Sequence, residues 1–192
     1  MNSAVRDIRV DCEVNADDFR NAMRRLTGGV SVITAGRGRD ISGMTVTSVT
    51  SLSIKPPALI VAVNRSASSW PLIRRHGFFG VNILSADQLD IAERFSGKDG
   101  LKGAARFADA DWFTRASGAP LLTGALAAID CEVEEIVERH SHAIVIGRVL
   151  DVVVSPRSAA LAYWQGQYLA IERDEDIAIM AGVGVPRPRA RR

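Results

Sequence analysis

A run of hydroxyl side chains between residues 45 and 53 is the part of this sequence best suited to hold a small molecule. The run comprises Thr45, Thr47, Ser48, Thr50, Ser51 and Ser53. These side chains are short, so a flat ligand can approach the backbone, and their hydroxyls both donate and accept hydrogen bonds. An extended chain with free N–H groups would suit a ring that displays carbonyls and nitrogens along one edge. From these residues alone, the simpler interpretation is a strand whose hydroxyls face water.

Two histidines, His140 and His142, are the other candidates for chemistry. Their spacing of two would put both on one face of a strand. A metal site needs a third ligand, which the sequence does not supply, so we expect no metal. The pair is interpreted either as two solvated histidines at a hairpin end or with His142 in contact with a ligand. There is no GxGxxG motif, P-loop, GxSxG or HExxH motif, which argues against a classical dinucleotide domain.

Strands must position most of these residues. Residues 41–54 suit an extended chain, which Pro56-Pro57 interrupts, and the apolar run Ala58–Val63 predicts a strand buried on both faces. Alternation predicts that Ile129, Cys131 and Val133 face the core while Asp130, Glu132 and Glu134 face water. A tight turn near Arg139–Ser141 would join that strand to the next as a hairpin. Further strands are predicted at Val30–Ala35, Phe78–Leu84, Ala143–Val154 and Tyr163–Ile171.

Three helices are predicted around these strands. Asn15 caps the first, whose apolar face consists of Phe19, Ala22, Met23 and Leu26 and which ends at Gly28-Gly29. The second covers Ser69–His76 and ends at Gly77. The third covers Ala86–Phe95, with Ser85 as its cap and with Leu89 and Ala92 on its inner face. Residues 96–120 are predicted to be a long loop with short turns. Many strands and no regular β-α alternation favour a mainly β fold, an antiparallel barrel or sandwich with a few peripheral helices.

Length and charge limit the class of protein. The chain has 192 residues, which fits one domain, predicted at 15–175 between an N-terminal arm (1–14) and a flexible basic C-terminal tail (176–192). The net charge is +2, but four arginines after residue 180 leave −2 on the rest, so nucleic-acid binding has little support. No signal peptide or membrane-spanning run is recognisable, and the two cysteines are interpreted as free thiols. The sequence predicts a cytoplasmic protein without a membrane partner.

The segment Gly43–Pro57, GMTVTSVTSLSIKPP, resembles the signature of the short-chain flavin reductase family, the reductase partners of two-component flavin monooxygenases. Six further segments match the same family in order. They are AVNRSASSWPLI, the strand Phe79–Leu84, a helix ending at Phe95, Arg106-Phe107, the stretch from Pro120 to Cys131, and the strand from His142 to Val149. The likeness runs from about Phe19 to Ile171. One departure is His140-Ser141-His142, where the family often has Gly-Asp-His.

The resemblance implies an FMN-binding split barrel of antiparallel Greek-key type, an enzyme that uses NADH or NADPH to reduce FMN or FAD, a homodimer, and a partner monooxygenase that takes up the reduced flavin. It implies an isoalloxazine site at Thr45, Val46, Thr47, Ser48, Ser51 and Ser53. It implies a phosphate site at Asn64, Arg65, Ser66, Ser68 and Ser69. Arg106 either assists the phosphate or makes a surface ion pair, and His142 would orient the nicotinamide.

Two other functions stay open at the level of the sequence. One is a flavin- or haem-binding module on the same barrel that has no reductase turnover. The other is an enzyme like pyridoxamine-phosphate oxidase, which shares the barrel but usually offers several arginines and lysines to clamp two phosphates. The candidate region here has only Arg65.

Overall fold

The computed structural model describes residues 14–172. The predicted basic tail and, apart from Val14, the predicted N-terminal arm lie outside these residues. The domain limits of 15–175 and the cytoplasmic location therefore stay predictions. No helix among residues 14–172 has both the length and the apolar character needed to cross a bilayer.

Twelve strands make up about half of the described chain. They are β1 (Gly28–Gly29), β2 (Ser31–Arg37), β3 (Asp40–Val46), β4 (Thr50–Ile54), β5 (Pro57–Asn64), β6 (Phe78–Ile83), β7 (Trp112–Thr114), β8 (Pro120–Leu122), β9 (Ala127–Arg139), β10 (His142–Val154), β11 (Ala160–Trp164) and β12 (Gln167–Ile171). Seven of them form one antiparallel sheet in the order β3-β2-β6-β9-β10-β5-β4. Since β3 and β4 are consecutive in the chain yet lie at opposite edges, the sheet curls into an open barrel. The mainly β, antiparallel prediction is confirmed.

The strand predicted over residues 41–54 is broken into two at Thr47–Val49, where the chain passes from one edge of the sheet to the other. The predicted hairpin is confirmed, and β9 and β10 extend for 13 residues each. Its turn lies at His140 and Ser141, and His140 has a φ of 50°. The break and the hairpin turn both border the candidate site.

Three helices lie on the periphery, as predicted. They are α1 (Ala16–Met23), α2 (Trp70–His76) and α3 (Leu89–Ser96). The side chain of Asn15 accepts a hydrogen bond from the N–H of Asp17, which caps α1 as predicted. The helix ends at Met23, earlier than the predicted stop at Gly28-Gly29, so Leu26 lies beyond it. The predicted apolar face does not pack on a core of the described chain, since Phe19 is 61% and Met23 is 47% exposed.

The start of α3 was predicted too early. Its N-cap is Gln88, whereas Ser85 forms an isolated β-bridge with Ala160 and cannot cap the helix. Leu89 was predicted to face inward and is instead exposed, because the buried face is centred on Ile91, Ala92 and Phe95, and at about 100° per residue Leu89 points away from it. Ala92 is buried, as predicted, together with Ile91 and Phe95.

Two strand predictions were also wrong. The single strand expected at Tyr163–Ile171 is the hairpin β11–β12, turned by Gln165 and Gly166 with positive φ angles of 50° and 84°. Asp130 was predicted to face water, but it is fully buried and accepts hydrogen bonds from the N–H and Oγ of Ser117. The loop predicted at 96–120 contains a short 3-10 helix, Gly103–Phe107, and strand β7.

Two apolar clusters hold these elements together. One lies inside the barrel and includes Phe79, Val61 and Val145. The other lies between the sheet, α3 and the 3-10 helix, where the Phe95 and Phe107 rings meet edge to face with centroids 5.0 Å apart. Gly43 allows this contact, because a Cβ at that position would lie 2.7 Å from the Phe95 ring. The first glycine of the signature segment therefore sets how closely α3 packs against β3.

Candidate functional site

A cavity of about 470 Å³ lies where β3, the turn after β5, the end of α3 and the 3-10 helix meet. We call it the Arg106 cavity. Its lining has two cationic side chains and no acidic one, together with hydroxyl and amide groups, so its chemistry favours an anion. The lining residues are Met44, Thr45, Asn64, Ser66, Ala67, Ser68, Phe95, Ser96, Lys102 and Arg106.

Arg106 is held rigidly at this cavity by backbone carbonyls. Its Nε donates to the Leu101 carbonyl at 2.8 Å, and one terminal nitrogen donates to the Gly43 carbonyl at 2.7 Å. Partial burial lowers the pKa of Arg106, but a guanidinium with so high an ordinary pKa stays charged at neutral pH. Its three hydrogen bonds to described residues all go to carbonyl oxygens, so its charge is not neutralised there by an acid. The arrangement favours the predicted binding role over the surface ion pair.

The turn from Asn64 to Ser68 presents polar groups to the Arg106 cavity. The Asn64 side-chain oxygen accepts from the N–H and the Oγ of Ser66, at 2.9 and 2.8 Å, which fixes the turn. The Ser68 and Ser42 hydroxyl oxygens lie 2.7 Å apart. Ser69, also predicted to be near the phosphate, is fully buried at the start of α2 and does not line the cavity.

Arg65 is directed to the β9–β10 hairpin and does not line the Arg106 cavity. Its guanidinium lies 2.9 Å from the Glu138 carboxylate and donates to the His140 carbonyl at 3.0 Å. Its backbone N–H donates to the Ser141 carbonyl at 3.0 Å. Arg65 thus ties the turn after β5 to the hairpin, and the cations beside Ser66 and Ser68 are Lys102 and Arg106.

In the hydroxyl-rich segment, some backbone N–H groups are available to a ligand, whereas two of the hydroxyls are already hydrogen-bonded within the protein. The Thr45 hydroxyl donates to the Ala92 carbonyl at 2.6 Å, and the Ser48 hydroxyl donates to the Ala62 carbonyl at 2.9 Å. By contrast, the N–H groups at the break Thr47–Val49 make no backbone hydrogen bond within the described chain. These N–H groups are free to bind the edge of a ring.

The later hydroxyls of the segment lie apart from the cavity. Ser51 and Ser53 are on β4, and the Ser53 oxygen accepts from the N–H of Lys55 at 3.2 Å. Neither residue lines the Arg106 cavity. The structure therefore separates the predicted ring-binding residues into a part near the cavity, Thr45 to Ser48, and a part on β4, the strand at the other edge of the sheet.

A second, smaller cavity of about 230 Å³ adjoins the first, and we call it the tyrosine cavity. It is lined by Val30, Thr45, Val46, Thr47, Ser96, Tyr163 and Tyr168. Thr45 and Ser96 line both cavities, so the two form neighbouring parts of one groove along β3. Val46 and Thr47, both predicted from the sequence, belong to this second part.

His142 lies at the start of β10, directly opposite Asn64 on β5. Side chains of directly opposed residues in an antiparallel pair project from the same face. His142 is exposed, and its Nδ1 lies 2.9 Å from the Ser141 hydroxyl. Since Asn64 lines the Arg106 cavity, this imidazole lies beside one wall of the site. His140, at the turn, lies off the strand and does not share that face.

Several residues of the groove were missed by sequence reasoning. Lys102 lies in a stretch with no periodicity, so nothing in its spacing marked it. Tyr163 and Tyr168 were assigned to one strand, and a single strand would not bring their rings together as the hairpin does, 5.1 Å apart. Phe95 was noted only as a helix end, although it lines the Arg106 cavity.

Residues 23–172 match the family model of the flavin reductase like domain. The match covers most of the chain, and the protein therefore belongs to the flavin reductase family. The split-barrel fold predicted by resemblance is thereby confirmed.

Individual relatives agree with this assignment. The chain is 38% identical to the FMN reductase (NADH) RutF of Stutzerimonas stutzeri over 152 residues, which is 79% of this chain and 86% of the relative. Among solved structures it is similar to BorF, the flavin reductase component of a bacterial two-component tryptophan halogenase. That likeness has 31% identity and a TM-score of 0.76, over 83% of this chain and all of BorF. The styrene monooxygenase flavin reductase of Pseudomonas putida S12 is 30% identical with a TM-score of 0.72, over 82% of this chain and 99% of that protein.

Proposed function

We propose that this protein is an NAD(P)H:flavin oxidoreductase that reduces FMN or FAD. The observation that carries the proposal is the position of the Arg106 cavity beside the free N–H groups of Thr47–Val49, in a chain of the flavin reductase family. A flavin nucleotide has an anionic phosphate and a flat ring whose edge accepts hydrogen bonds. The groove offers a cationic part beside β3 and a part rich in N–H donors at the break directly after β3.

The described residues fit a flavin nucleotide. Arg106 and Lys102 supply positive charge for the phosphate, and the Ser66 and Ser68 hydroxyls supply hydrogen bonds. The N–H groups of Thr47–Val49 bind the edge of the ring, for which Thr45, Val46 and Ser48 form the neighbouring wall. When bound, the flavin supplies a hydride acceptor for the nicotinamide. The protein contributes orientation, which makes the transfer effectively intramolecular.

His142 positions the nicotinamide in this proposal. The imidazole stands on the face of the sheet that Asn64 shares, beside the cavity wall, and it is open to solvent and to a second ligand. Hydride transfer requires no general acid or nucleophile from the protein, so this histidine acts by binding and orientation. Arg65 supports it indirectly by anchoring the hairpin turn at His140 and Ser141.

The reduced flavin passes to a partner monooxygenase by diffusion. Support comes from the relatives, since the styrene monooxygenase flavin reductase and BorF are each named as reductases of a larger oxygen-using or halogenating system. The groove agrees with a flavin that leaves after reduction, because Asn64, Ser66 and Lys102 at its border are exposed.

The protein acts as a homodimer in the same proposal. Phe19 and Met23 on α1, and Leu26 just after the helix, are each more than 45% exposed within residues 14–172. Exposed apolar side chains grouped close together in this way mark an interaction surface. Sedimentation of the full chain tests this, and a Phe19→Glu variant should shift a dimer toward monomer.

Turnover itself is tested by following the loss of NADH absorbance with and without added FMN or FAD. Oxidation of NADH that depends on flavin supports the reductase. A protein that binds flavin but gives no flavin-dependent oxidation with either NADH or NADPH would be a binding module of the same fold, and the proposed activity would be withdrawn.

A further inference from the structure

We propose that Ser141 and Arg65 are positioning residues for His142. Ser141 holds the imidazole at its Nδ1 atom, and Arg65 holds the turn that leads into His142. This inference rests on the proposed function, in which His142 orients the nicotinamide, and it extends that function to two residues that contact neither substrate. It concerns the segment His140-Ser141-His142, where this chain departs from the Gly-Asp-His that the family often has.

The Ser141 hydroxyl occupies one nitrogen of the His142 ring. Its oxygen lies 2.9 Å from Nδ1, and this is the only hydrogen bond that the imidazole makes within residues 14–172. A hydroxyl can donate to a bare nitrogen or accept from a protonated one, so it holds Nδ1 in either tautomer. Because His142 is exposed, this bond restricts a ring that would otherwise rotate more freely. The Nε2 atom is thereby left for a ligand.

The turn before His142 has a backbone conformation that suits glycine better than histidine. His140 has a φ of 50°, in the left-handed region, where a residue with a Cβ is less stable than glycine. Arg65 binds both residues of this turn. Its guanidinium donates to the His140 carbonyl at 3.0 Å, and its backbone N–H donates to the Ser141 carbonyl at 3.0 Å. These two bonds stabilise the turn and therefore fix where Ser141 stands.

Glu138 holds the Arg65 guanidinium from the last part of β9. The carboxylate lies 2.9 Å from one terminal nitrogen of Arg65, while the other terminal nitrogen donates to the His140 carbonyl. The Arg65 and Glu138 side chains are 43% and 36% exposed, so water screens the pair and its charge contributes little by itself. Its effect is geometric, because a planar guanidinium that is bound at one nitrogen keeps the other directed at the turn.

The test places each substitution in two forms of the full chain, the wild type and His142→Ala. In the wild type, Ser141→Ala and Arg65→Gln should each lower kcat/KM for NADH by about fivefold, because each removes one hydrogen bond that orients the ring. KM for FMN should stay unchanged. In His142→Ala the same substitutions should have no further effect, since the ring through which they act is gone. Ser141→Thr keeps the hydroxyl and should retain the wild-type value.

Arg74→Gln is the matched control for Arg65→Gln. The Arg74 guanidinium lies 3.9 Å from the same Glu138 carboxylate, but within the described chain it makes no hydrogen bond to the turn, so its loss should leave NADH kinetics unchanged. A loss in Ser141→Ala or Arg65→Gln that persists in His142→Ala would be a general structural effect and would overturn the inference. Wild-type NADH kinetics in both variants, or an equal loss in Arg74→Gln, would overturn it as well.

A spectroscopic measurement separates this inference from the proposed activity. Nitrogen NMR of protein labelled at histidine observes the imidazole nitrogens without any nucleotide, and the signals lost in His142→Ala assign those of His142. The Nδ1 signal should shift in Ser141→Ala and in Arg65→Gln, and stay at the wild-type position in Arg74→Gln. If the wild type reduces no flavin but shows this pattern, the proposed function fails and the positioning of the imidazole stands. If it reduces flavin but the Nδ1 signal is the same in Ser141→Ala, the positioning fails alone.

Discussion

His142 and Asn64 lie directly opposite each other on β10 and β5, so the imidazole and the amide project from the same face of the sheet. Asn64 also fixes the turn that carries Ser66 into the Arg106 cavity. The pair thus joins the proposed nicotinamide contact to the proposed phosphate site. The register of two neighbouring strands places them together, although 78 positions separate them in the chain.

Replacement of His142 by alanine should lower kcat/KM for NADH by about tenfold, which corresponds to about 1.4 kcal/mol. The reason is lost orientation of the nicotinamide, so KM for FMN should change little. Steady-state kinetics with each substrate varied in turn measures both effects. His140→Ala is the matched control, because His140 lies in the turn and off the shared face. Unchanged NADH kinetics in His142→Ala would remove this residue from the mechanism.

Replacement of Arg106 by glutamine should raise KM for FMN by about tenfold or more, because a charge-assisted hydrogen bond to phosphate contributes about 1.5–3 kcal/mol. Riboflavin lacks the phosphate, so its KM should stay near the wild-type value. Arg65→Gln provides the contrast, since the Arg65 guanidinium is paired with Glu138 on the hairpin and should affect FMN binding much less. The opposite ranking of the two variants would place the phosphate at Arg65.

Replacement of Gly43 by alanine should reduce the free energy of unfolding by about 1–3 kcal/mol, because the added methyl overpacks the site. Its Cβ would lie 2.7 Å from both the Phe95 ring and the Ile33 carbonyl oxygen. Gly29→Ala is a suitable control, since nothing lies within 4 Å of a Cβ at that position. Urea unfolding of both variants gives the comparison, and equal stabilities would show that α3 moves away without cost.

Cys131 should resist thiol reagents in the folded protein. Burial, followed by the nearby Asp130 carboxylate, raises the pKa of this thiol from 9.0 to about 12. The folded state therefore keeps the proton, and the stability linked to Cys131 is fully present below about pH 9 and is lost as the pH rises toward 12. In a Cys12→Ser background at pH 8, alkylation should be slow in buffer and fast in urea. Equally fast alkylation in both solvents would contradict this burial.

Strand patterns predicted much of the fold, because apolar runs such as Ala58–Val63 pack the same way in any sheet with two covered faces. The burial of Asp130 was not predicted, because it depends on Ser117. The N–H and Oγ of Ser117 donate hydrogen bonds to the Asp130 carboxylate, and Ser117 lies in a loop whose conformation strand alternation does not define. The hairpin at Gln165 and Gly166 was missed because the first of its two positive-φ positions carries glutamine instead of the usual asparagine, aspartate or glycine, and Gly166 alone did not mark the turn.

The site was predicted best where local turn chemistry determines it. Asn64, Ser66 and Ser68 lie together because the Asn64 side chain closes the turn on Ser66. The cations of the cavity were predicted less well. Arg65 was expected there, but its guanidinium pairs with Glu138, a residue on a strand distant in the sequence, and Lys102 lines the cavity instead. Sequence spacing indicates which residues share a turn, whereas the position of a long charged side chain depends on the acids and carbonyl oxygens that the fold brings next to it, as with Arg65 and Arg106.

The most direct test of the central claim is anaerobic reduction of free flavin. The protein in catalytic amount is mixed with FMN or FAD and an equimolar amount of NADH, and the visible absorbance of the oxidised flavin is followed without oxygen. We expect the flavin absorbance to bleach together with the NADH absorbance, many times faster than without protein. The proposed function would be contradicted if, with both flavins, these absorbances fell no faster than they do without protein, and if NADPH in place of NADH gave the same result.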